Sequence, residues 1–197
     1  MVVACQSPRE GDKGTMGLLG KLFKKSIFAY IRVNARLEPI TRGDILEDPL
    51  DEILKAHGLG EVSGGGTELG DGEILWCGID LELKKDDDDT VSKVVQILTK
   101  LGVPKGSILE IGDTKIPVGT WECAKITCES GEKADELVGR AQEGLTPEEH
   151  PHQYGEYAGK GGDTIYLYGP SYAAIHELFS RAASAEPSIQ CQITLEE

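Results

Sequence analysis

The sequence predicts an α+β protein made of two βαββαβ units in tandem, and three observations support this. Four segments carry apolar residues at i, i+3, i+4 and i+7, the spacing that places side chains on one face of a helix. The segments between them alternate apolar and polar residues or are rich in β-branched residues, which is typical of strands. A short match between the two halves, where Gly60-Glu61 and Gly155-Glu156 each precede a glycine-rich turn, indicates an internal repeat.

The four helices are located by their apolar stripes and by residues that favour a helix start. In chain order, the four helices are expected to begin at Asp48, at Asp88 or Asp89, at Ser130, and at Gly169 with Pro170. Gly58 and Gly144 can end the first and third helices. The stripes are Leu50, Ile53, Leu54 and His57; Val91, Val94, Val95 and Leu98; Ala134, Leu137, Val138 and Ala141; Ile175, Leu178, Phe179 and Ala182.

Eight strands account for the remaining periodic segments. They are predicted at about 27–37, 60–67, 73–83, 106–111, 120–128, 152–158, 163–168 and 188–196. The order strand, helix, strand, strand, helix, strand therefore occurs twice. A unit with this order most often folds as a four-stranded antiparallel sheet with both helices on one face, the ferredoxin-like arrangement. This arrangement hosts unrelated functions, so it predicts no activity by itself.

The chain divides into a leader at 1–26, a first unit at 27–111, a turn-rich linker at 112–119 and a second unit at 120–197. We expect residues 1–15 to be a disordered or extra leader. The segment Met16–Ser26, MGLLGKLFKKS, is apolar and basic in the manner of an amphipathic helix. We expect it to pack its leucines on the first unit, and weak peripheral contact with a membrane through Leu18–Lys25 is the alternative.

Composition limits the classes of partner. Thirty-four acidic residues against 20 basic ones give a net charge of −14, which repels nucleic-acid phosphates and anionic membranes and favours basic partners. No apolar stretch is long enough to span a bilayer. The five cysteines are scattered without paired spacing, which predicts five free thiols and a soluble protein in the cytoplasm. They are Cys5, Cys77, Cys123, Cys128 and Cys191.

No segment carries a recognisable catalytic, metal or cofactor motif. The acidic run Asp86–Asp89 lacks the spaced oxygen ligands of a calcium loop, and it suits a helix start instead. His150 and His152 have no identifiable third ligand. The turn SGGGTELGDG lacks the lysine and hydroxyl residue that end a phosphate-binding loop. We therefore expect no catalytic residue, no metal site and no cofactor.

Alternation along the strands predicts which side chains face away from the helices. The inward sets are aliphatic, and we assign Leu75 and Cys77, as well as Ile165 and Leu167, to them. The outward sets hold both tryptophans and most tyrosines, with charged neighbours that include Arg36, Asp80, Glu82 and Lys125. Exposed aromatic faces are favoured at interfaces. The predicted binding residues are Tyr30, Arg32, Trp76, Trp121, Tyr157, Tyr166 and Tyr168.

Three functions remain open at this point. The first is a non-catalytic adaptor, regulator or inhibitor that presents aromatic sheet faces and an acidic surface to a basic protein partner. The second is a small-molecule enzyme or ligand sensor whose pocket, lined by Arg32, Trp76, Tyr166 and Tyr168, lies between the halves. RNA binding is the third and least favoured function. The signature of the RNA-recognition module is absent, and the acidic chain repels phosphate groups. The outward faces could equally pair two copies in a homodimer.

Overall fold

The structure is a computed structural model that describes residues 26–143, 145 and 163–196. The first unit begins with a strand and a helical segment that contains a π-helical turn, and it continues through two strands, a helix and two further strands. Its elements are β1 (Ile27–Val33), α1 (Pro39–Arg42), the π-helical turn (Gly43–Glu47), α2 (Asp48–Ala56), β2 (Gly60–Gly70), β3 (Glu73–Leu83), α3 (Asp88–Lys100), β4 (Ser107–Ile111) and β5 (Thr114–Val118).

The first sheet has the strand order β2-β3-β1-β4-β5, and all neighbouring strands are antiparallel. Its first four strands form the ferredoxin-like arrangement that the order of elements predicts. The fifth strand corrects the prediction for residues 112–119. This segment is not a turn-rich linker, because Thr114–Val118 pairs with β4 along its whole length and extends the sheet by one strand.

The second unit comprises β6 (Glu122–Cys128), α4 (Gly131–Gln142), β7 (Thr164–Gly169), α5 (Tyr172–Ala185) and β8 (Cys191–Glu196). Its sheet has the order β7-β6-β8, again antiparallel. In a βαββαβ unit these are the positions of the third, first and fourth strands. The strand predicted at 152–158, the Gly155-Glu156 pair and Gly144 lie outside the described residues. The chain is therefore an α+β protein with antiparallel sheets and helices, as the sequence predicts.

Each sheet buries its inward side chains against helices of its own unit. In the first unit Ala29, Ile31 and Val33 of β1 are fully buried in one cluster with Leu54 of α2 and Leu98 of α3. In the second unit Ile126, Ile165 and Leu167 pack with Leu137 of α4 and Phe179 of α5. These clusters confirm the predicted alternation in β1, β6 and β7. They also leave the opposite side of each sheet free of these helices.

One inward assignment in β3 is wrong. Leu75 is 44% exposed, whereas Ile74, which was expected outside, is 3% exposed. The pairing with β2 explains the exchange: Glu68 pairs with Trp76, but the next residue, Leu69, pairs with Ile74. Leu75 is therefore the extra residue of a β-bulge, which reverses the alternation at this end of the strand.

The helix starts also differ in part from those predicted. Ser130 caps α4 by accepting a hydrogen bond from the Lys133 N–H, as expected. α3 is capped by Asp87 rather than by the aspartates that follow, and α5 is capped by Ser171. Asp48 is not a cap, because helical structure already begins at Pro39 and runs through it. Gly58 ends the segment after α2 with a φ of 64°, which glycine adopts without strain.

A buried ion pair accompanies the π-helical turn. The wider turn brings residues five apart to the same side, so the Nε of Arg42 lies 2.6 Å from an oxygen of Glu47. Arg42 also donates a hydrogen bond to the Thr67 hydroxyl of β2 at 2.6 Å. The Arg42 side chain is 8% exposed, and that of Glu47 is 19% exposed. This pair joins the helical segment to the edge of the first sheet.

We expect Arg42→Met to lower the free energy of unfolding by about 3 kcal/mol, because it leaves a largely buried carboxylate without its partner. The double variant Arg42→Met/Glu47→Gln should recover most of this loss, since it removes both charges. Urea denaturation of the three proteins measures the difference. If the double variant is as unstable as the single one, the loss comes from packing of the arginine side chain and not from the stranded charge.

Two cysteines expected to be free are bonded to each other. Cys128, the last residue of β6, and Cys191, the first residue of β8, are direct neighbours across the two strands and form a disulfide. Cys77 and Cys123 are buried free thiols. The prediction of five free thiols is therefore wrong. The two bonded cysteines are 63 residues apart, and only the strand pairing brings them together.

Candidate functional site

The outward side of the first sheet carries an aromatic surface that none of the described helices covers. Phe28, Tyr30 and Arg32 alternate with the buried residues of β1, and Trp76 lies on the neighbouring strand β3. Phe28 is 61% exposed and Arg32 is also exposed, whereas Tyr30 and Trp76 are half-buried. We call these four residues and the carboxylates around them the open face.

The aromatic residues of the open face are held in a defined arrangement. The ring of Tyr30 meets that of Trp76 edge to face, with centroids 6.4 Å apart and an interplanar angle of 82°. The Arg32 guanidinium carbon lies 5.3 Å from the centre of the Trp76 ring, within the range of a cation–π interaction. Tyr30 lies across Gly78, where a Cβ atom would overlap its ring. A glycine at this position therefore allows the tyrosine to lie against the sheet.

Carboxylates surround the aromatic residues. Asp80 and Glu110 are the cross-strand partners of Tyr30, and Glu68 is the partner of Trp76. Burial and the charges of Asp80 and Glu110 raise the pKa of the Tyr30 hydroxyl above its usual value. Glu110 is paired with Lys115 at 2.8 Å. Among the described residues, Glu68, Asp80 and Glu82 have no ion-pair partner, and their three negative charges exceed the one positive charge of Arg32, so the open face is negative on balance.

The aromatic residues of the second unit have a different environment. Tyr166 and Tyr168 face away from α4 and α5, as predicted, and they are 2% and 0% exposed because they belong to the core cluster of the first unit. The Tyr168 hydroxyl accepts a hydrogen bond of 2.9 Å from the Arg36 N–H, and the Arg36 guanidinium carbon lies 4.4 Å from the centre of the Tyr166 ring. Arg36 also binds Glu196 of β8 at 2.7 Å. These residues join the two units.

Burial determines the ionisation of this junction. It raises the pKa of the Tyr168 hydroxyl well above its usual range. It also raises the pKa of the Cys123 thiol to about 12, even though that thiol lies near the tyrosine hydroxyl and Arg36. Both groups are therefore neutral at physiological pH. Cys123 in particular lacks the lowered pKa that a nucleophilic thiolate requires.

A cavity of about 370 Å³ lies beside the junction. None of the four residues predicted to line a pocket between the halves, Arg32, Trp76, Tyr166 and Tyr168, lines this cavity. Among the predicted binding residues, Trp121 does line the cavity. Lys105 and Glu122, which also line it, form an ion pair at 2.6 Å. The lining residues are Asn34, Pro104, Lys105, Gly106, Trp121, Glu122, Cys123, Leu195 and Glu196.

The predicted binding residues thus fall into separate groups. Tyr30, Arg32 and Trp76 lie together on the open face, Tyr166 and Tyr168 lie at the junction, and Trp121 lines the cavity. Tyr157 lies outside the described residues. The sequence interpretation did not identify Glu68 and Glu110 as members of the open face. Their register against Trp76 and Tyr30 places them there, and this register is not visible in a single strand.

No protein-family model matches the chain, and no curated protein matches it by sequence. Solved structures with similarity include a candidate glycine cleavage system transcriptional repressor, at 10% identity with a TM-score of 0.29, covering 88% of this chain and 99% of that one. An unknown protein from Galdieria sulphuraria has 13% identity and a TM-score of 0.27, covering 88% and 100%. A candidate monooxygenase from Lactobacillus acidophilus has 10% identity and a TM-score of 0.26, covering 87% and 93%. Similarity at this level carries no argument about activity, and the fold class rests on the strand order of the chain itself.

Two further findings concern the described residues. None of their helices combines the length and the apolar character needed to cross a membrane. In the same part of the chain, no three side chains of histidine, cysteine, aspartate or glutamate lie close enough together to hold a metal ion. His150 and His152 lie outside it.

Proposed function

We propose that this chain is a non-catalytic binding protein, an adaptor, regulator or inhibitor, whose open face receives a basic segment of a protein partner. One observation carries the proposal: an ordered cluster of Tyr30, Trp76 and Arg32 lies on a sheet side that no described helix covers, next to carboxylates that lack ion-pair partners among the described residues. The proposal keeps the partner class that the net charge of −14 favours.

The chemistry of the open face suits a segment that is both basic and apolar. Half-buried and exposed aromatic rings supply apolar contact area and bind cations through their faces. The carboxylates of Glu68, Asp80 and Glu82 attract lysine and arginine side chains and raise the rate of encounter. The same charges repel phosphate groups, which counts against RNA as the ligand.

The cavity beside the junction supports a second candidate, a sensor of small molecules, because its volume of about 370 Å³ lies in the range of ligand pockets. A homodimer through the open face is a third use of the same surface. The cytoplasmic location inferred from the cysteines stays a proposal. The disulfide between Cys128 and Cys191 counts against it, since reducing compartments disfavour such bonds.

We expect Asp80→Asn/Glu82→Gln to weaken binding of a basic amphipathic probe about tenfold, because two attractive charges are lost. The probe is a synthetic twelve-residue peptide of lysine and leucine at helical spacing, and its binding is measured by calorimetry at low and high salt. The matched control is Asp48→Asn/Glu52→Gln, which removes the same charge from exposed positions on the helical layer. Equal affinity for both variants, or no binding by the unmodified chain, would reject the open face as the binding site.

A further inference from the structure

We infer that residues 16–25 of this chain are themselves an occupant of the open face, so that a basic partner must compete with them. This inference rests on the proposed function, because it assigns a regulatory occupant to the same surface. Residues 16–25 lie outside the part of the chain that the structure describes, and their sequence is GLLGKLFKK after Met16. The described residues contribute the surface, its charge and the point where the chain enters it.

Residues 16–25 and the open face are chemically complementary. The segment carries Leu18, Leu19, Leu22 and Phe23 together with the lysines at 21, 24 and 25, and it contains no acidic residue. The open face offers the complementary groups, with aromatic rings in its middle and carboxylates around them. Of these carboxylates, Glu68, Asp80 and Glu82 have no ion-pair partner among the described residues. The chain is strongly acidic, so a run with three lysines and no carboxylate is an unusual feature of its sequence.

The segment is joined directly to β1, the strand that carries Phe28 and Tyr30. Residue 25 is followed by Ser26, which is exposed and immediately precedes β1. Ser26 has the same parity as Phe28, so the chain enters the sheet beside the most exposed aromatic residue of the open face. Glu82 is the cross-strand partner of Phe28, and Asp80 is the partner of Tyr30. Ser26 borders the same groove as Glu82, together with Lys55 and Lys84, so one carboxylate of the open face lies next to the end of the basic segment.

The length of the segment can be compared with the span of the open face along β1. Arg32 lies four residues beyond Phe28 along β1, a span of about 13 Å at the rise of a strand. Ten residues extend about 15 Å as a helix. A segment of this length that uses its last few residues to fold back from Ser26 can therefore reach the rings of Phe28 and Tyr30.

Covalent connection makes such docking effective even when the contact is weak. A segment tethered by a short connection has an effective concentration in the millimolar range at its site. A partner in solution must therefore bind well enough to displace it. The segment accordingly sets a threshold for the partner and shields the aromatic rings from water when the partner is absent.

The test compares two variants of the full chain with equal net charge. The first is Lys21→Glu/Lys24→Glu/Lys25→Glu, which reverses the charges of the segment. The control is Lys93→Glu/Lys100→Glu/Arg181→Glu, which reverses the same number of charges at exposed positions on helices. Both carry Trp121→Phe, so that Trp76 is the single tryptophan. The readouts are affinity for the lysine–leucine probe, quenching of Trp76 fluorescence by acrylamide, and binding to anionic lipid vesicles.

We expect the segment variant to bind the probe about tenfold more tightly than the control and to show greater quenching of Trp76. Equal affinity and equal quenching would overturn the inference and leave the proposed function intact. Greater quenching without any probe binding would support the docked segment and reject the proposed function. Loss of binding to anionic lipid vesicles with unchanged Trp76 quenching would assign residues 16–25 to a membrane and overturn the inference.

Discussion

Opening the disulfide between Cys128 and Cys191 should lower the free energy of unfolding by about 4 kcal/mol, because the bond closes a long loop and limits the unfolded chain. The two cysteines are 63 residues apart, and the bond ties the last strand, β8, to the central strand of its sheet. Urea denaturation with and without dithiothreitol measures the change. The variant Cys128→Ala/Cys191→Ala is the control, since the reductant should not destabilise it further.

Counting thiols in the denatured protein without reductant checks the bond itself. The chain has five cysteines, so a disulfide leaves at most three that react with Ellman's reagent. A count of five would show that the bond does not form in solution. In that case the reasoning from cysteine spacing would be correct, and dithiothreitol should leave the unfolding curve unchanged.

The bond illustrates what local patterns cannot predict. The five cysteines have no paired spacing in the sequence, and Cys128 meets Cys191 because β8 returns beside β6 after a complete unit. The bulge at Leu75 has a similar origin, because an extra residue is recognised from its partner strand and not from alternation within one strand. The same holds for Thr114–Val118, which lies within the predicted linker at 112–119. Its place at the edge of the first sheet depends on pairing with β4.

Alternation itself was a sound guide to the faces of the sheets. It separated Ile165 and Leu167 from Tyr166 and Tyr168, and each pair belongs to a different core cluster in the structure. It could not predict that the first unit covers Tyr166 and Tyr168, whereas none of the described helices covers Tyr30 and Trp76. Which of two similar surfaces is covered depends on how the units meet, and Arg36, one of the residues that make this contact, lies in the connection after β1.

The second prediction concerns β7, whose alternate residues belong to these two different core clusters. We expect Ile165→Ala/Leu167→Ala to destabilise the second unit strongly, since both side chains are at most 2% exposed and each truncation costs about 2–5 kcal/mol through lost burial and cavity formation. The protection of amides in β6, β7 and α5 against hydrogen exchange should fall together, because these elements share the core that the two residues fill.

Tyr166→Ser/Tyr168→Ser changes residues of the same strand that are equally buried but belong to the core cluster of the first unit. It removes the acceptor of the Arg36 N–H, at a cost of about 1–3 kcal/mol, and takes away the ring beneath the Arg36 guanidinium. The contact between the two units should therefore weaken, and the less compact chain should elute earlier in gel filtration. Amide protection in the core of α4 and α5 should persist better than in the aliphatic variant. Equal loss of that protection in both variants, with unchanged elution, would mean that the tyrosines support the second unit itself and do not join it to the first.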